Sequence, residues 1–145
     1  MNPTKAIWKQ QASIDFLNSL SENTLGSHIG IEFIEIGDDY IMAKMPVDAR
    51  TIQPFGILHG GASVVLAETL GSVASTLCLQ DIDKQTAVGL EINANHLRSV
   101  RQGFVFGKAT PVRIGRSVHV WNIEISDEAG NLTAVSRLTT MIKTL

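Results

Sequence analysis

A chain of 145 residues, with 44% hydrophobic and 18% charged side chains, is the size of one ordinary domain over 1–145 and is too apolar for bulk disorder. Its formal net charge of −2 gives no general field for nucleic acid or an anionic membrane, so an anionic ligand has to be held locally. The single cysteine, Cys78, excludes an internal disulfide, and MNPTKAIWKQQ has no apolar run or cleavage site of a secretory signal; both suit a reducing cytoplasm.

Ser13 is positioned to cap a short helix, because Ile14, Phe16, Leu17 and Leu20 then share one apolar side before Ser21, Glu22 and Asn23 break the pattern. Ile29 to Ile36 alternates as a strand, Gly37-Asp38-Asp39 makes a turn, and Tyr40 to Val47 returns as a second strand that Pro46 brings to its end. Asp48 to Leu58 reads as a loop carrying Arg50, Gln53, Pro54 and Gly56 to the mouth of a central helix.

The rest of the chain is organised around the stretch that contains this helix, Gly56 to Gln80. After His59 it has the composition of a helix with one charge, Glu68, so it requires cover on nearly every side. The run from Ile57 to Leu79 is long enough to cross a bilayer, but Glu68 near its middle, paired glycines, many Ser and Thr and no flanking Lys and Arg exclude that reading. An ionised group taken from water costs several kcal/mol unless it is paired or does chemistry, so Glu68 is expected in a cleft and functional. His59-Gly60-Gly61 lies where loop becomes helix. Bare backbone N–H groups there, helped by the helix dipole, can hold a developing oxyanion; equally, two glycines can ease a tight entry into a buried helix.

Beyond the helix, a strand from about Thr86 to Arg98 has Val88, Leu90, Ile92, Ala94 and His96 on one face and Gly89, Glu91, Asn93 and Asn95 on the other. Gly103 to Thr110, Val118 to Ser126 and Leu132 to Lys143 supply three more strands, the last two joined by a loop at Asp127 to Asn131. With no helix between these strands, the order implies an α+β domain in which a strongly curved antiparallel sheet wraps the central helix.

The sequence contains no G-x-S-x-G elbow, Walker loop, G-x-G-x-x-G, H-E-x-x-H or Cys/His cluster with zinc spacing, so no metal site is expected. What remains is Glu68 with Gln53, His59 and His96. For His96 on an apolar face a hydrogen-bonded core histidine is the commoner finding, and Ser72, one turn after Glu68, shares its face and could line one pocket or serve at least as readily as a small packing residue. His28 and His119 read as ordinary loop and strand residues.

Gln53-Pro54-Phe55-Gly56-Ile57-Leu58-His59-Gly60-Gly61-Ala62-Ser63, then Leu66-Ala67-Glu68-Thr69 and Gly71-Ser72, resembles the hot-dog-fold acyl-CoA thioesterases of the phenylacetate and hydroxybenzoyl type. The strand Val88 to His96, the segment Trp121 to Ile125 and Ile7-Trp8-Lys9 extend the likeness over nearly the whole chain, toward the bacterial branch acting on 1,4-dihydroxy-2-naphthoyl-CoA in menaquinone biosynthesis. The resemblance implies a sheet of about six strands curled round the central helix, dimers that associate into tetramers, and an aromatic acyl-CoA substrate. It gives Glu68 as base or nucleophile, Gly60 as donor to the thioester carbonyl, and Gln53 and His59 as supporting polar groups. Ser72 and His96 match positions near the acyl group; Gly89, the run His96-Leu97-Arg98-Ser99 and the run Arg113-Ile114-Gly115-Arg116-Ser117-Val118 match the region that handles coenzyme A. Relatives carry a His-Leu-Gly pattern in that last run, whereas here arginines, still suited to phosphate, flank Ile-Gly. No cofactor is implied, coenzyme A being part of the substrate. The rival readings are a proofreading thioesterase for carrier-protein thioesters, a non-catalytic acyl-CoA sensor and an acyl-CoA hydratase of related fold. Geometry adds one expectation. Gly60 and Glu68 are eight positions apart on one helix, about 12 Å along its axis. They serve one carbonyl only if each site combines Gly60 of one subunit with Glu68 of another in a two-fold dimer.

Overall fold

The computed structural model describes residues 5–145; residues 1–4 of the segment read for a signal lie outside them. In chain order the elements are α1 (Ile14–Leu20), α2 (Leu25–His28), β1 (Glu32–Ile36), β2 (Ile41–Pro46), α3 (Gly60–Leu77), β3 (Gln85–His96), β4 (Phe104–Ile114), β5 (Val118–Asp127) and β6 (Leu132–Thr144). The six strands form one antiparallel sheet in the order β1-β2-β4-β5-β6-β3, and α3 packs on it as expected.

Local chemistry explains most boundaries. Ser13 caps α1, its Oγ accepting from Phe16 N at 3.1 Å. The strand expected from Ile29 is shorter, because Leu25–His28 closes one helical turn and Gly30, at φ 78°, redirects the chain before Glu32. β4 runs past its expected end at Thr110, through a bulge between Pro111 and Arg113.

The core lies between α3 and the concave side of the sheet. Leu66, Leu70 and Ala74 of the helix and Ile41, Trp121, Ile123, Ile125 and Leu138 of the sheet are fully buried, each large side chain contributing about 1.5–3 kcal/mol. Two glycines set the close approach. A Cβ on Gly107 would stand 2.5 Å from Leu70 Cδ1, and one on Gly71 2.5 Å from Leu138 Cδ2. Three of the polar groups enclosed there pair with one another: Trp121 Nε1 donates to Ser75 Oγ at 2.7 Å, and Ser75 Oγ meets Thr140 Oγ1 at 2.8 Å.

The far end of α3 is closed by the segment before α1. Lys9 N and Gln10 N both donate to Leu77 O, at 2.8 and 3.0 Å, and Gln10 Nε2 donates to Leu79 O at 2.7 Å, satisfying carbonyls that a helix C-terminus leaves open. Trp8 stacks on Trp121 with ring centroids 6.3 Å apart.

The sheet packs round α3 through β2 to β6, leaving Val64, Glu68, Thr69, Ser72 and Val73 half-buried and Gly61 and Thr76 exposed. One expectation is corrected: the faces of β3 are not those of simple alternation. A bulge between Gly89 and Glu91 shifts the register, so Gly89 pairs with Thr140 and Ile92 with Leu138, two partners that are fully buried. Gly89 therefore turns to the helix with Ile92, while Val88 and Leu90 are exposed, at 37% and 55%.

Candidate active site

At the start of α3, His59 is the N-cap, with extended backbone (φ −68°, ψ 128°). Its Nδ1 accepts from Gly61 N at 2.8 Å, so the ring carries its proton on Nε2. Ala62 N and Ser63 N both donate to His59 O. Of the first-turn donors, Gly60 N–H is left without an acceptor among the described residues. His96 reaches in from the end of β3: a Cβ on Gly60 would stand 2.8 Å from His96 Nε2. Both alternatives for the paired glycines thus meet at one place, since Gly60 provides a bare donor and also clears room for an imidazole.

A cavity of about 350 Å³ opens beside this donor, lined by Gln53, Gly60, Ser63, His96, Leu97, Arg98 and Ser99, with Ile57, Leu58 and Thr133. The loop chemistry before the helix holds Gln53 there. Its side-chain Oε1 accepts from Phe55 N, its carbonyl accepts from Gly56 N at 2.8 Å, and Gly56 takes φ 74°. Ser63 and Thr133 are absent from the residues that the sequence singles out. Ser63, one turn from Gly60, was accessible from helical spacing, whereas Thr133 enters only through pairing, its carbonyl accepting from Leu97 N at 2.7 Å. His96 is exposed, not a core histidine.

Glu68, Ser72 and Gly89 lie elsewhere. Glu68 stands two turns down α3 and stays outside the ion pairs of the described residues, which join Lys44 to Glu32, Arg50 to Asp48 and Lys84 to Asp81. Its Oε1 lies 2.5 Å from the position a Cβ on Gly89 would take, so the carboxylate rests against the backbone of β3. Across the sheet, Gly89 pairs with Thr140, Thr140 with His119 and His119 with Ile114, which aligns Glu68 and Gly89 with the hairpin at Arg113 to Val118. That hairpin closes with Gly115 N donating to Val118 O at 2.9 Å.

Beside the hairpin is a cavity of about 600 Å³, lined by Lys5, Lys9, Cys78, Gln85, Gly115, Arg116 and His119 among others. Burial pushes the Cys78 thiol up to about 11, against the opposing pull of Lys9, which makes it an inert core thiol. His119 departs from its ordinary-strand reading: it is 3% exposed, its Nδ1 has no partner among the described residues, and burial pushes its imidazolium below the usual range despite a Gly115 backbone contact.

The expected site residues thus fall into two groups in one chain. Gln53, Gly60 and His96 to Ser99 surround the helix N-terminus; Glu68, Ser72, Gly89 and Arg113 to Val118 belong to the other half. Among the described residues, no three or more His, Cys, Asp or Glu side chains gather as a metal site. No described helix is long and apolar enough to cross a membrane.

Comparison with known proteins decides the family. Residues 55–134 match the thioesterase superfamily. The 1,4-dihydroxy-2-naphthoyl-CoA hydrolase of Escherichia coli is 54% identical over 94% of this chain and 98% of its own. The chain belongs to the thioesterase superfamily. Similarity extends to the proofreading thioesterase EntH of Cronobacter turicensis, 50% identical over 94% of this chain and 98% of that one. In three dimensions, a thioesterase from Haemophilus influenzae superposes with a TM-score of 0.93 at 52% identity, covering 96% of both chains. The resemblance read from the HGG-to-Glu block therefore holds: this thioesterase has the hot-dog fold and is a thioester hydrolase.

Proposed function

We propose that the chain hydrolyses an aromatic acyl-CoA, 1,4-dihydroxy-2-naphthoyl-CoA in menaquinone biosynthesis being the substrate its Escherichia coli relative favours. The observation that carries the reading is the unpaired Gly60 N–H at the floor of a cavity, together with a lone carboxylate, Glu68, on the same helix. Gly60 N–H, reinforced by the helix dipole, polarises the thioester carbonyl. Glu68 then acts in one of two ways. As a base it takes a proton from water while the oxygen attacks the carbonyl carbon; as a nucleophile it forms a mixed anhydride that water cleaves. In both, the C–S bond breaks and coenzyme A leaves as thiolate, to be protonated.

Gln53 and His59 hold the loop and the helix start, Ser72 and His96 face the acyl end, and Gly89, Leu97, Arg98 and Ser99, with the run Arg113 to Val118, receive coenzyme A. The chain's own residues suffice for this chemistry, without metal or cofactor, in the cytoplasm. Since the two groups of residues lie too far apart in one chain, the working unit is a two-fold dimer with shared sites, which associates further into a tetramer. The half-open side of α3 and the edge strand β3 are the surfaces suited to the second copy.

A second reading, proofreading of aryl carrier-protein thioesters, is favoured by the 50% identity to EntH. Steady-state turnover of the same aryl group on coenzyme A and on a carrier protein tests the choice. A kcat/KM at least about tenfold higher on the CoA thioester supports the first reading, and the reverse ratio the second. Binding of aryl-CoA with no turnover of either substrate would mean a sensor.

A further inference from the structure

Among the described residues the buried hydroxyl side chains are those of Thr51, Ser63, Ser75, Thr133, Ser136 and Thr140. All but one are hydrogen-bonded. Thr51 Oγ1 donates to Pro46 O at 2.6 Å, Thr133 Oγ1 to Ile125 O at 3.0 Å and Ser136 Oγ to Asn93 O at 2.8 Å, while Ser75 and Thr140 pair with each other. Ser63, 3% exposed on the wall of the cavity beside Gly60, has no partner for its Oγ among the described residues. That oxygen is not sealed in, because the fully enclosed side-chain polar atom without a partner is His119 Nδ1 alone; Ser63 therefore offers its hydroxyl to the cavity. We propose that Ser63 Oγ–H is a second donor to the thioester carbonyl oxygen and completes an oxyanion hole with Gly60 N–H, an inference that rests on the thioesterase reading with Gly60 at the reacting carbonyl.

The helix start keeps this hydroxyl free. A serine inside a helix commonly donates back to the carbonyl four residues before it, as Thr76 Oγ1 does to Ser72 O at 3.0 Å. For Ser63 that carbonyl is His59 O, which already receives Ala62 N at 3.0 Å and Ser63 N at 3.3 Å, one for each lone pair. Thr133 O, on the same cavity, is likewise taken, by Leu97 N at 2.7 Å and Arg98 N at 3.3 Å. Helical side chains lean toward the N-terminus and residues three apart share a face, so the Ser63 hydroxyl lies over the turn that begins at Gly60. Gly60 has no side chain to stand between them.

Two donors on one face suit one oxygen. A carbonyl oxygen has two lone pairs and gains negative charge as the nucleophile adds, so both bonds strengthen toward the transition state. Burial adds to the effect of Ser63, since little water competes for its proton. Gln53 and His96, which also line the cavity, are half-buried and exposed, and water competes more for their N–H groups.

The test uses the intact protein and 2-naphthoyl-CoA. Ser63→Ala should lower kcat by about 10²-fold with KM within about threefold, the scale of one removed oxyanion donor. Ser63→Cys, which keeps the packing but offers only a weak S–H donor, should lose nearly as much and carries the test if the alanine variant does not fold. A readout that packing alone leaves unmoved is the infrared stretch of the carbonyl, labelled with carbon-13 and bound to Glu68→Gln to slow turnover. Adding Ser63→Ala or Ser63→Cys to that variant should raise the frequency, as a hydrogen bond to the carbonyl is lost. A kcat within about threefold of the parent in the folded variants, or a lowered kcat with the band unmoved, overturns the assignment and leaves the thioesterase reading intact. Absence of hydrolysis by the parent would overturn the underlying reading as well.

Discussion

Oε1 of Glu68 occupies space that a methyl group on Gly89 would need, 2.5 Å from the position such a carbon would take. The carboxylate and the β3 backbone are therefore mutually fitted, and the bulge after Gly89 is what turns that residue toward the helix. Glu68→Gln should fold normally and lose about 10² to 10⁴ in kcat on an aryl-CoA, the scale of a missing acid/base group, with KM little changed. Gly89→Ala, which moves the carboxylate without removing it, should lower kcat by a smaller factor. Near-parental kcat for Glu68→Gln would remove this residue from the chemistry.

Much of this arrangement was legible because it is local. The cap at Ser13, the start of α3 at His59 and the isolation of Glu68 depend on neighbours within a few residues, and the specificity of the HGG-to-Glu block carried the fold with it. The β3 faces were not legible: one inserted residue at Leu90 reverses the assignment of Gly89, and only pairing with β6 reveals it. Nor was the burial of His119, which depends on the segment before α1 and on the Gly115 turn reaching the same cavity.

His119 sets a pH dependence whose sign comes from its burial. Its folded pKa lies below the ordinary value of 6.5, so as pH falls through that value the unfolded chain takes up a proton that the folded chain still refuses. Stability is full above this range and declines below it. Thermal melting between pH 7.5 and 5.5 should show a steeper loss of Tm for the parent than for His119→Phe. Parallel curves would mean that the buried imidazole does not titrate differently on folding.

Arg98, Arg113 and Arg116 are proposed to meet the nucleotide end of the substrate. If they hold its phosphates, aryl-CoA affinity weakens with added salt, because exposed charge pairs are screened. Arg113→Ala and Arg116→Ala should then raise KM by about three- to tenfold while kcat changes less, as when binding common to substrate and transition state is lost. Unchanged KM in both variants would remove coenzyme A from the β4–β5 hairpin.

The separation of Gly60 from Glu68 leads to a test between subunits. Both lie on α3, about 12 Å apart along its axis, so neither side chain nor backbone bends them to one carbonyl within a chain. Gly60→Pro removes the N–H, and its ring carbon would also meet His96 Nε2, at the 2.8 Å that any Cβ there would have. Proline is thus not the innocuous N1 residue that helix rules allow, but both effects disable the same half-site. Gly60→Pro and Glu68→Ala should each be nearly inactive alone. Unfolded together in equal amounts and refolded, about half the dimers are mixed, and each mixed dimer joins an intact Gly60 to an intact Glu68 at one of its two sites, so about a quarter of parental activity returns. Subunit exchange demonstrated by tagged copies, with no return of activity, would place both residues within one chain or remove one of them from catalysis.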